Sequence, residues 1–335
     1  MIRMNKLRFG ILGWGYWGPK IARNLNTVRG AMITIVADKD AYRLKAAAES
    51  LQSIQTTTRA EDVFRSDVDG VIIATPVQTH YRLAREALLQ GKHVLVEKPL
   101  TTNVMEAQDL VELAKQEQRI LMVGHTFEYN PAVNELRRLV QSGDLGKIYR
   151  VEAERVNLGL FRTDTNVIWD LAPHDISILM YILGKKPEEV RVQAHAHLLP
   201  HIYDVAHLDL EFADGMSAHV HVSWLHPCKI RRVTVIGDAR MVVYDDTNPA
   251  EMIKIYNKGA DIDADPVVSY RYGAITIPHI DWIEPLRLEC EDFVNSIRTG
   301  AQPRAHGGIG LEVVRVLAAA LPVQQKEGVI RESYA

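Results

Sequence analysis

Three groups of residues in this chain have types and spacings that can do chemistry. The first is Gly13-Trp14-Gly15-Tyr16-Trp17-Gly18, with Asp38 placed 20 residues after Gly18. Such a glycine turn, between a strand and a helix, can cradle a pyrophosphate. The first glycine makes the tight turn, the second lets the backbone approach the phosphates, and the third lets helix and strand pack closely. The helix N-terminus adds free N–H groups and the positive end of its dipole. Asp38, at the end of the second strand, can accept hydrogen bonds from a ribose 2′-hydroxyl, which favours NAD, while nearby Lys39 and Arg43 leave NADP possible. The second group is Glu97-Lys98-Pro99, and the third is Asp170 with His174 four residues on.

Lysine, histidine and carboxylate together suit hydride transfer. Oxidising an alcohol requires a base for the hydroxyl proton, and a histidine titrates near working pH. Lys98, where a strand runs out into the crevice, can hold the substrate oxygen and stabilise developing alkoxide charge. A bound oxidised nicotinamide would lower its pKa, so Lys98 can also relay the proton. Asp170 precedes a helix expected to begin near Pro173, where it can orient His174 or Lys98, or contact substrate. Each residue alone also has an ordinary reading: a solvated lysine, a first-turn acid, a surface histidine. Their conjunction with the glycine turn favours the catalytic one.

The elements that must position these groups change in kind near residue 125. Before it, Leu7 to Leu12, Ala31 to Ala37, Asp69 to Ala74, His93 to Val96 and Arg119 to Val123 are short apolar runs alternating with helical patterns. Continuous β-branched runs fit strands buried on both faces, and the alternation predicts a doubly wound parallel α/β sheet. After it, Ile148 to Asn157, Val190 to His197, Val205 to Phe212, Ser217 to Trp224 and Ile230 to Ile236 read as strands, several with period two. Met241 to Tyr244 and Met252 to Tyr256 add two more. One helix is expected from about Pro173 to Leu183, and two close the chain. The first of these carries Ile283, Leu286, Cys290, Phe293 and Ile297 on one stripe, and the second spans about Gly310 to Gln325. Asn248 to Ile277 is the least regular stretch and is expected to hold a long loop. The expectation is a dinucleotide-binding domain over 1–125 and, over 126–335, an α+β substrate domain on one large, mainly antiparallel sheet. The closing helices have the option of packing back on the first domain.

Composition bounds the partners. The 335 residues carry 39 Lys+Arg against 42 Asp+Glu, a formal charge of −3. That argues against nucleic acid and anionic membranes, which usually demand a basic balance. No apolar run approaches the ~20 residues that span a bilayer, no secretory leader pattern is legible, and two cysteines cannot build a disulfide framework. A cytoplasmic protein is expected.

Further motifs extend the pattern: Ala74-Thr75-Pro76 with His80, the run Gly91 to Leu100, Trp169 to Asp175, and Glu284-Pro285-Leu286 followed by Glu289-Cys290 and Asp292-Phe293-Val294. With these the chain resembles the Gfo/Idh/MocA family, named after glucose–fructose oxidoreductase and inositol dehydrogenase, over essentially its whole length. The resemblance implies an N-terminal Rossmann domain and an NAD(P)-linked oxidoreductase acting on a sugar or polyol hydroxyl. It implies Lys98, Asp170 and His174 as the catalytic group, and dimers or tetramers packed through the open face of the second sheet. Gly124 to Pro131, with Trp169 to Leu179, looks like the sugar-nucleotide branch, so a nucleotide-linked hexose, with C3 favoured, is expected. An inositol or free-sugar dehydrogenase remains open, as does a non-catalytic cofactor sensor.

Weaker candidates surround this core. Gly13, Gly15, Tyr16, Trp17, Gly18, Asp38, Thr75, Pro76 and His80 are expected to line the cofactor cleft. Glu97 is expected to hold a ribose or orient Lys98, and His125 to face the nicotinamide. Tyr129, Arg155, Asn157, Arg162 and Asn166 are candidates for substrate contacts, beside Lys98, Asp170 and His174. His195/His197 and His219/His221 each point to one face of a strand, a spacing that can bind metal. No cysteine or carboxylate cluster accompanies them, so a polar sheet face is expected instead and no metal is assigned.

Overall fold

A computed structural model describes residues 6–262 and 267–320. In the first half, β1 (Leu7–Leu12), α1 (Gly18–Leu25), β2 (Ala31–Ala37), α2 (Ala41–Ser50), β3 (Gln55–Thr57), α3 (Ala60–Arg65), β4 (Gly70–Ile73), α4 (His80–Leu89), β5 (His93–Val96), α5 (Val104–Gln116) and β6 (Leu121–Val123) alternate along the chain. Their six strands form one parallel sheet in the order β3-β2-β1-β4-β5-β6. This is the doubly wound order whose crevice opens between β1 and β4, where the strand order reverses. The apolar runs are there because both faces are covered: Phe9, Ile11, Val71, Ile73, Val94 and Val96 are fully buried.

The second half holds α6 (Pro131–Gln141), β7 (Ile148–Val156), α7 (Val167–Leu183), β8 (Glu189–His195), β9 (Val205–Glu211), β10 (Ser217–Ser223), β11 (Ile230–Gly237), β12 (Met241–Asp245), β13 (Ile253–Ile262), β14 (Val268–Thr276), α8 (Pro285–Thr299) and α9 (Gly307–Ala319). The eight strands form one sheet, β14-β13-β12-β11-β7-β10-β9-β8, antiparallel at every pairing except β7 with β10. One face is covered by α7, which buries most of its length. The strict alternation along β10, with Ala218, Val220 and Val222 buried and His219 and His221 partly open, records this two-faced environment. The closing helices return to the first sheet: α8 packs on α1, with Phe293 against Phe9 at 5.7 Å, and α9 packs on α5.

Two expectations are corrected. The helix expected from Pro173 begins six residues earlier, at Val167, with Pro173 inside it. Asn166 sets the start, because its side chain accepts from the N–H groups of Ile168 and Trp169 and satisfies two otherwise orphan donors. The stretch 248–277 is largely a hairpin of β13 and β14, not a loop. The far end of the last helix, expected to reach Gln325, lies outside the described residues. Among the described residues no helix is long and apolar enough to cross a membrane.

Candidate functional site

The glycine turn leaves β1 at the crevice. Gly13 has φ +95°, and a Cβ there would sit 2.5 Å from the Ala74 carbonyl oxygen. A Cβ on Gly18 would sit 2.2 Å from the Gly13 carbonyl oxygen. Both positions therefore exclude a side chain. By contrast, a Cβ on Gly15 would meet only Arg43 Nη1, at 3.7 Å, so the turn faces open space on that side. That space is a cleft of about 510 Å³ walled by Gly13, Gly15, Tyr16, Asp38, Thr75 and Arg82 among others. Asp38 Oδ2 accepts from Trp14 N at 2.6 Å and Oδ1 from Asp40 N at 2.9 Å, which fixes the carboxylate at the cleft wall. Arg43 Nη1 lies 3.8 Å from it. The donor set, the side-chain-free turn and the fixed acid fit a nicotinamide dinucleotide. The turn would hold its pyrophosphate and Asp38 its adenosine ribose.

One measurement follows. NADH is expected to bind more tightly than NADPH, whose 2′-phosphate would meet the Asp38 charge. Asp38→Asn should reduce that preference about tenfold by removing the repulsion. Fluorescence titration of both reduced cofactors checks it, and a tighter NADPH complex with the unaltered chain would contradict it.

At the far end of the crevice, Lys98 stands just beyond β5. Its Nζ donates to the backbone oxygen of Asp170 at 2.8 Å and lies 4.0 Å from Asp170 Oδ1. Burial pulls the Lys98 ammonium below its usual range, against the raising pull of Asp170 and Glu97. Trp224 Nε1 donates to Asp170 Oδ2 at 3.1 Å, and Arg162 Nη1 lies 3.6 Å from Oδ1, so the carboxylate is held from three sides. Because α7 starts at Val167, Asp170 and His174 stand one turn apart on the same face. Burial, then the charges of Lys98 and Arg155, hold the His174 imidazole well below its ordinary pKa, so it is neutral. Phe127 packs edge-on against it, ring centroids 5.2 Å apart. Lys98, Asp170, Arg162, Thr75, Pro76 and Trp17 wall a cavity of about 130 Å³, joined to the dinucleotide cleft through shared residues.

Several expected contacts are brought to this place, and others are not. His80 lines the small cavity, but its two ring nitrogens bridge the backbone oxygens of Pro99 and Thr75, each at 2.9 Å. It thus ties the loop after β4 to the loop after β5. Tyr129 is buried, donates to Asp292 at 2.7 Å and packs in the first domain's core, so it does not face substrate space. Arg155 is also buried, in a two-bond pair with Asp175 at 2.7 and 2.9 Å, beneath Phe127. Its charge is used by the fold. Asn166 is a helix cap. Asn157 is half-buried just past β7, where its backbone N–H donates to the Ser223 carbonyl oxygen at 3.1 Å. His125 is fully buried, and neither ring nitrogen has a hydrogen-bond partner among the described residues. Burial holds its pKa down to about 3. Glu97 is buried as well, and burial pushes its carboxyl up to about 7.

Trp224, Phe127 and Asp175 act at the site without having been singled out. Trp224 closes a strand whose end could be read, but its reach to Asp170 crosses 54 residues. On the open sheet face His207 stacks on His221 at 4.3 Å and His219 bonds Asp209 at 2.9 Å. No group of three or more His, Cys, Asp or Glu among the described residues is arranged to hold a metal ion. Cys228 and Cys290 are free thiols.

A parallel sheet with a glycine turn at its switch point, and a lysine, an aspartate and a histidine gathered where the crevice meets a second domain, defines a dinucleotide-dependent oxidoreductase architecture. Family models match it in both halves: the oxidoreductase family with an NAD-binding Rossmann fold over residues 7–125, and the GFO/IDH/MocA C-terminal domain over residues 133–243. The chain belongs to the Gfo/Idh/MocA oxidoreductase family. It is 30% identical to the UDP-N-acetylglucosamine 3-dehydrogenase of Acidithiobacillus ferrooxidans, over 96% of this chain and 97% of that protein. It is 33% identical to an inositol 2-dehydrogenase of Corynebacterium glutamicum, over 70% and 73%. A solved structure of the Acidithiobacillus enzyme superposes with a TM-score of 0.77 at 28% identity, covering 94% of this chain and 96% of that one.

Proposed function

We propose that this protein is an NAD-dependent dehydrogenase or ketoreductase acting on a ring hydroxyl of a nucleotide-linked hexose, with C3 as the reacting carbon. What carries the reading is the meeting of Lys98 and Asp170 at a cavity that shares walls with the dinucleotide cleft, with His174 one helical turn beyond Asp170. A bound nicotinamide supplies hydride acceptance or donation. The chain supplies the rest. Lys98 holds the reacting oxygen and stabilises its negative charge. Asp170 fixes the Lys98 head through its backbone oxygen and carboxylate, and neutral His174 can accept a proton.

The substrate class rests on cations around the mouth and on similarity. Arg162 walls both the cleft and the small cavity, and Arg43 and Arg82 also wall the cleft. Such a rim suits a diphosphate. The C3 position rests on the likeness to UDP-N-acetylglucosamine 3-dehydrogenase. A second reading, an inositol dehydrogenase, is favoured by the modest volume beside Lys98, which suits a single ring. The open face of the eight-stranded sheet is available to pack against a second copy, in line with the family resemblance.

NAD+ reduction by UDP- and dTDP-linked hexoses, inositols and free aldoses separates the readings. The nucleotide sugars are expected to give the highest kcat/KM. Faster turnover of an inositol would select the second reading.

A further inference from the structure

Arg137 and Arg304 carry charges that the fold leaves unanswered. Both guanidiniums sit against one aromatic ring, 4.2 Å and 5.4 Å from the Tyr181 ring centroid. The ion pairs of this region belong to Arg138, Lys186 and Arg315, and neither Arg137 nor Arg304 has one among the described residues. Arg304 Nη1 donates to the Glu128 backbone oxygen and to Asn134 Oδ1, the latter at 3.0 Å. Arg137 is half-buried, and its guanidinium makes no hydrogen bond among the described residues. Like charges drawn to one ring repel, and unmet donors held away from water cost free energy. A bound anion removes both costs.

The space for it is present. Arg137 on α6, Tyr181 near the end of α7 and His306 at the start of α9 wall a cavity of about 530 Å³. That volume falls within the ~300–1,000 Å³ range of small-molecule sites. None of its walls belongs to the dinucleotide cleft or to the cavity at Lys98. His306 Nδ1 accepts from Gly308 N at 3.1 Å, so the neutral ring carries its proton on Nε2, a further donor. Glu128 is 1% exposed and lines the cavity, and its Oε1 has no hydrogen-bond partner among the described residues. Burial pushes its carboxyl up to about 8, so near neutral pH it holds a proton and does not answer the arginines. At the rim Lys185 pairs with Asp214, while Glu312 faces both Lys186 and Arg315. Met180, Pro303 and Ile309 make part of the wall apolar.

We propose that this cavity is a second ligand site, separate from the catalytic one, for a small metabolite carrying a phosphate group. Two unpaired guanidiniums match a dianion. Their planar forks and the neutral donors beside them suit the three oxygens of a phosphate monoester better than the two of a carboxylate. The apolar wall takes the organic body. The site does not depend on which sugar is oxidised at Lys98. It does touch the same elements: Tyr181 shares α7 with Asp170 and His174, and Glu128 shares the short turn Thr126–Tyr129 with the Phe127 that packs on His174.

Phenyl phosphate is a suitable probe, because it has the dianion and an apolar body but no sugar hydroxyl. Calorimetric titration of the NADH-saturated protein, whose dinucleotide cleft is filled, is expected to show saturable binding at one site per chain. Benzoate and phenol should bind about tenfold more weakly or worse. Arg137→Leu should weaken phenyl phosphate by about tenfold or more while NADH affinity stays unchanged. Arg137→Gln reads the same loss should the leucine variant not fold. Lys98→Ala should leave the affinity as it was, which separates this site from the catalytic cavity. The proposal is overturned by no saturation below about 10 mM phenyl phosphate, by benzoate binding as tightly, by undiminished affinity in the Arg137 variants, or by a loss confined to Lys98→Ala. None of these titrations needs turnover, so the proposed function stands or falls separately.

Discussion

Lys98→Ala is expected to lower kcat/KM by about 10²–10³-fold, the usual cost of removing one electrostatic stabiliser of a developing oxyanion, while NADH affinity changes little. The alanine leaves the Asp170 backbone oxygen and carboxylate facing an emptied cavity, with no cation at the reacting oxygen. Lys98→Arg should not rescue, because a planar fork does not replace a point cation beside a cavity of about 130 Å³. The pH profile carries the same claim. Burial lowers the Lys98 pKa below 10.5, so oxidation should rise with pH and level off at a pH lower than an ordinary lysine would give. In the reductive direction, where a protonated group is needed, the rate should fall over that same range. Steady-state rates across pH check both, and an alkaline limb that persists in Lys98→Ala would contradict the assignment.

Asp175→Ala is expected to destabilise the fold by about 3–5 kcal/mol, the range for leaving a buried charge without its partner. Arg155 and Asp175 are 4% and 1% exposed, too little for water to compensate. The guanidinium also lies 4.6 Å from the Phe127 ring centroid, and Phe127 packs on His174, so the loss would loosen the packing around α7. Replacing both partners, as Arg155→Met with Asp175→Leu, should recover much of the stability, because two apolar side chains leave no orphan charge. Denaturant unfolding of the three variants tests this. A loss below about 1 kcal/mol in Asp175→Ala, the range of an exposed pair, would show that the pair is solvated.

The parts of this structure that could be read from sequence are those written in contiguous residues. The glycine turn and Asp38 could be read because close packing at Gly13 and Gly18 admits no other residue and because the next strand ends on schedule. The Rossmann half could be read because strands covered on both faces become continuous apolar runs. The second sheet could be read wherever one face is covered, as along β10, but not along β14, an edge strand whose Tyr270 and Tyr272 are exposed, so burial leaves no alternation there. The parallel pairing of β7 with β10 joins residues about 67 apart, for which no local signal exists.

The catalytic candidates were legible through family resemblance more than through their own chemistry, and the polar residues nearby were the least legible. Arg155 looked like a ligand contact because its partner Asp175 sits on another element. Tyr129 likewise finds Asp292 across 163 residues. Pro173 suggested a helix start, but the cap at Asn166 outweighed it. Glu289 stood in a quoted motif without a role, because nothing in sequence says that α8 buries its carboxyl completely.

The most direct test of the account follows the hydrogen itself. A UDP-linked hexose deuterated at C3 is incubated with the enzyme and NAD+, and the NADH formed is analysed by mass spectrometry. Deuterium is predicted in the nicotinamide ring of NADH from the unaltered chain and in far smaller amount from Lys98→Ala. Unlabelled NADH from that substrate, with label instead transferred from deuterated inositol, would contradict the proposed substrate and reacting carbon.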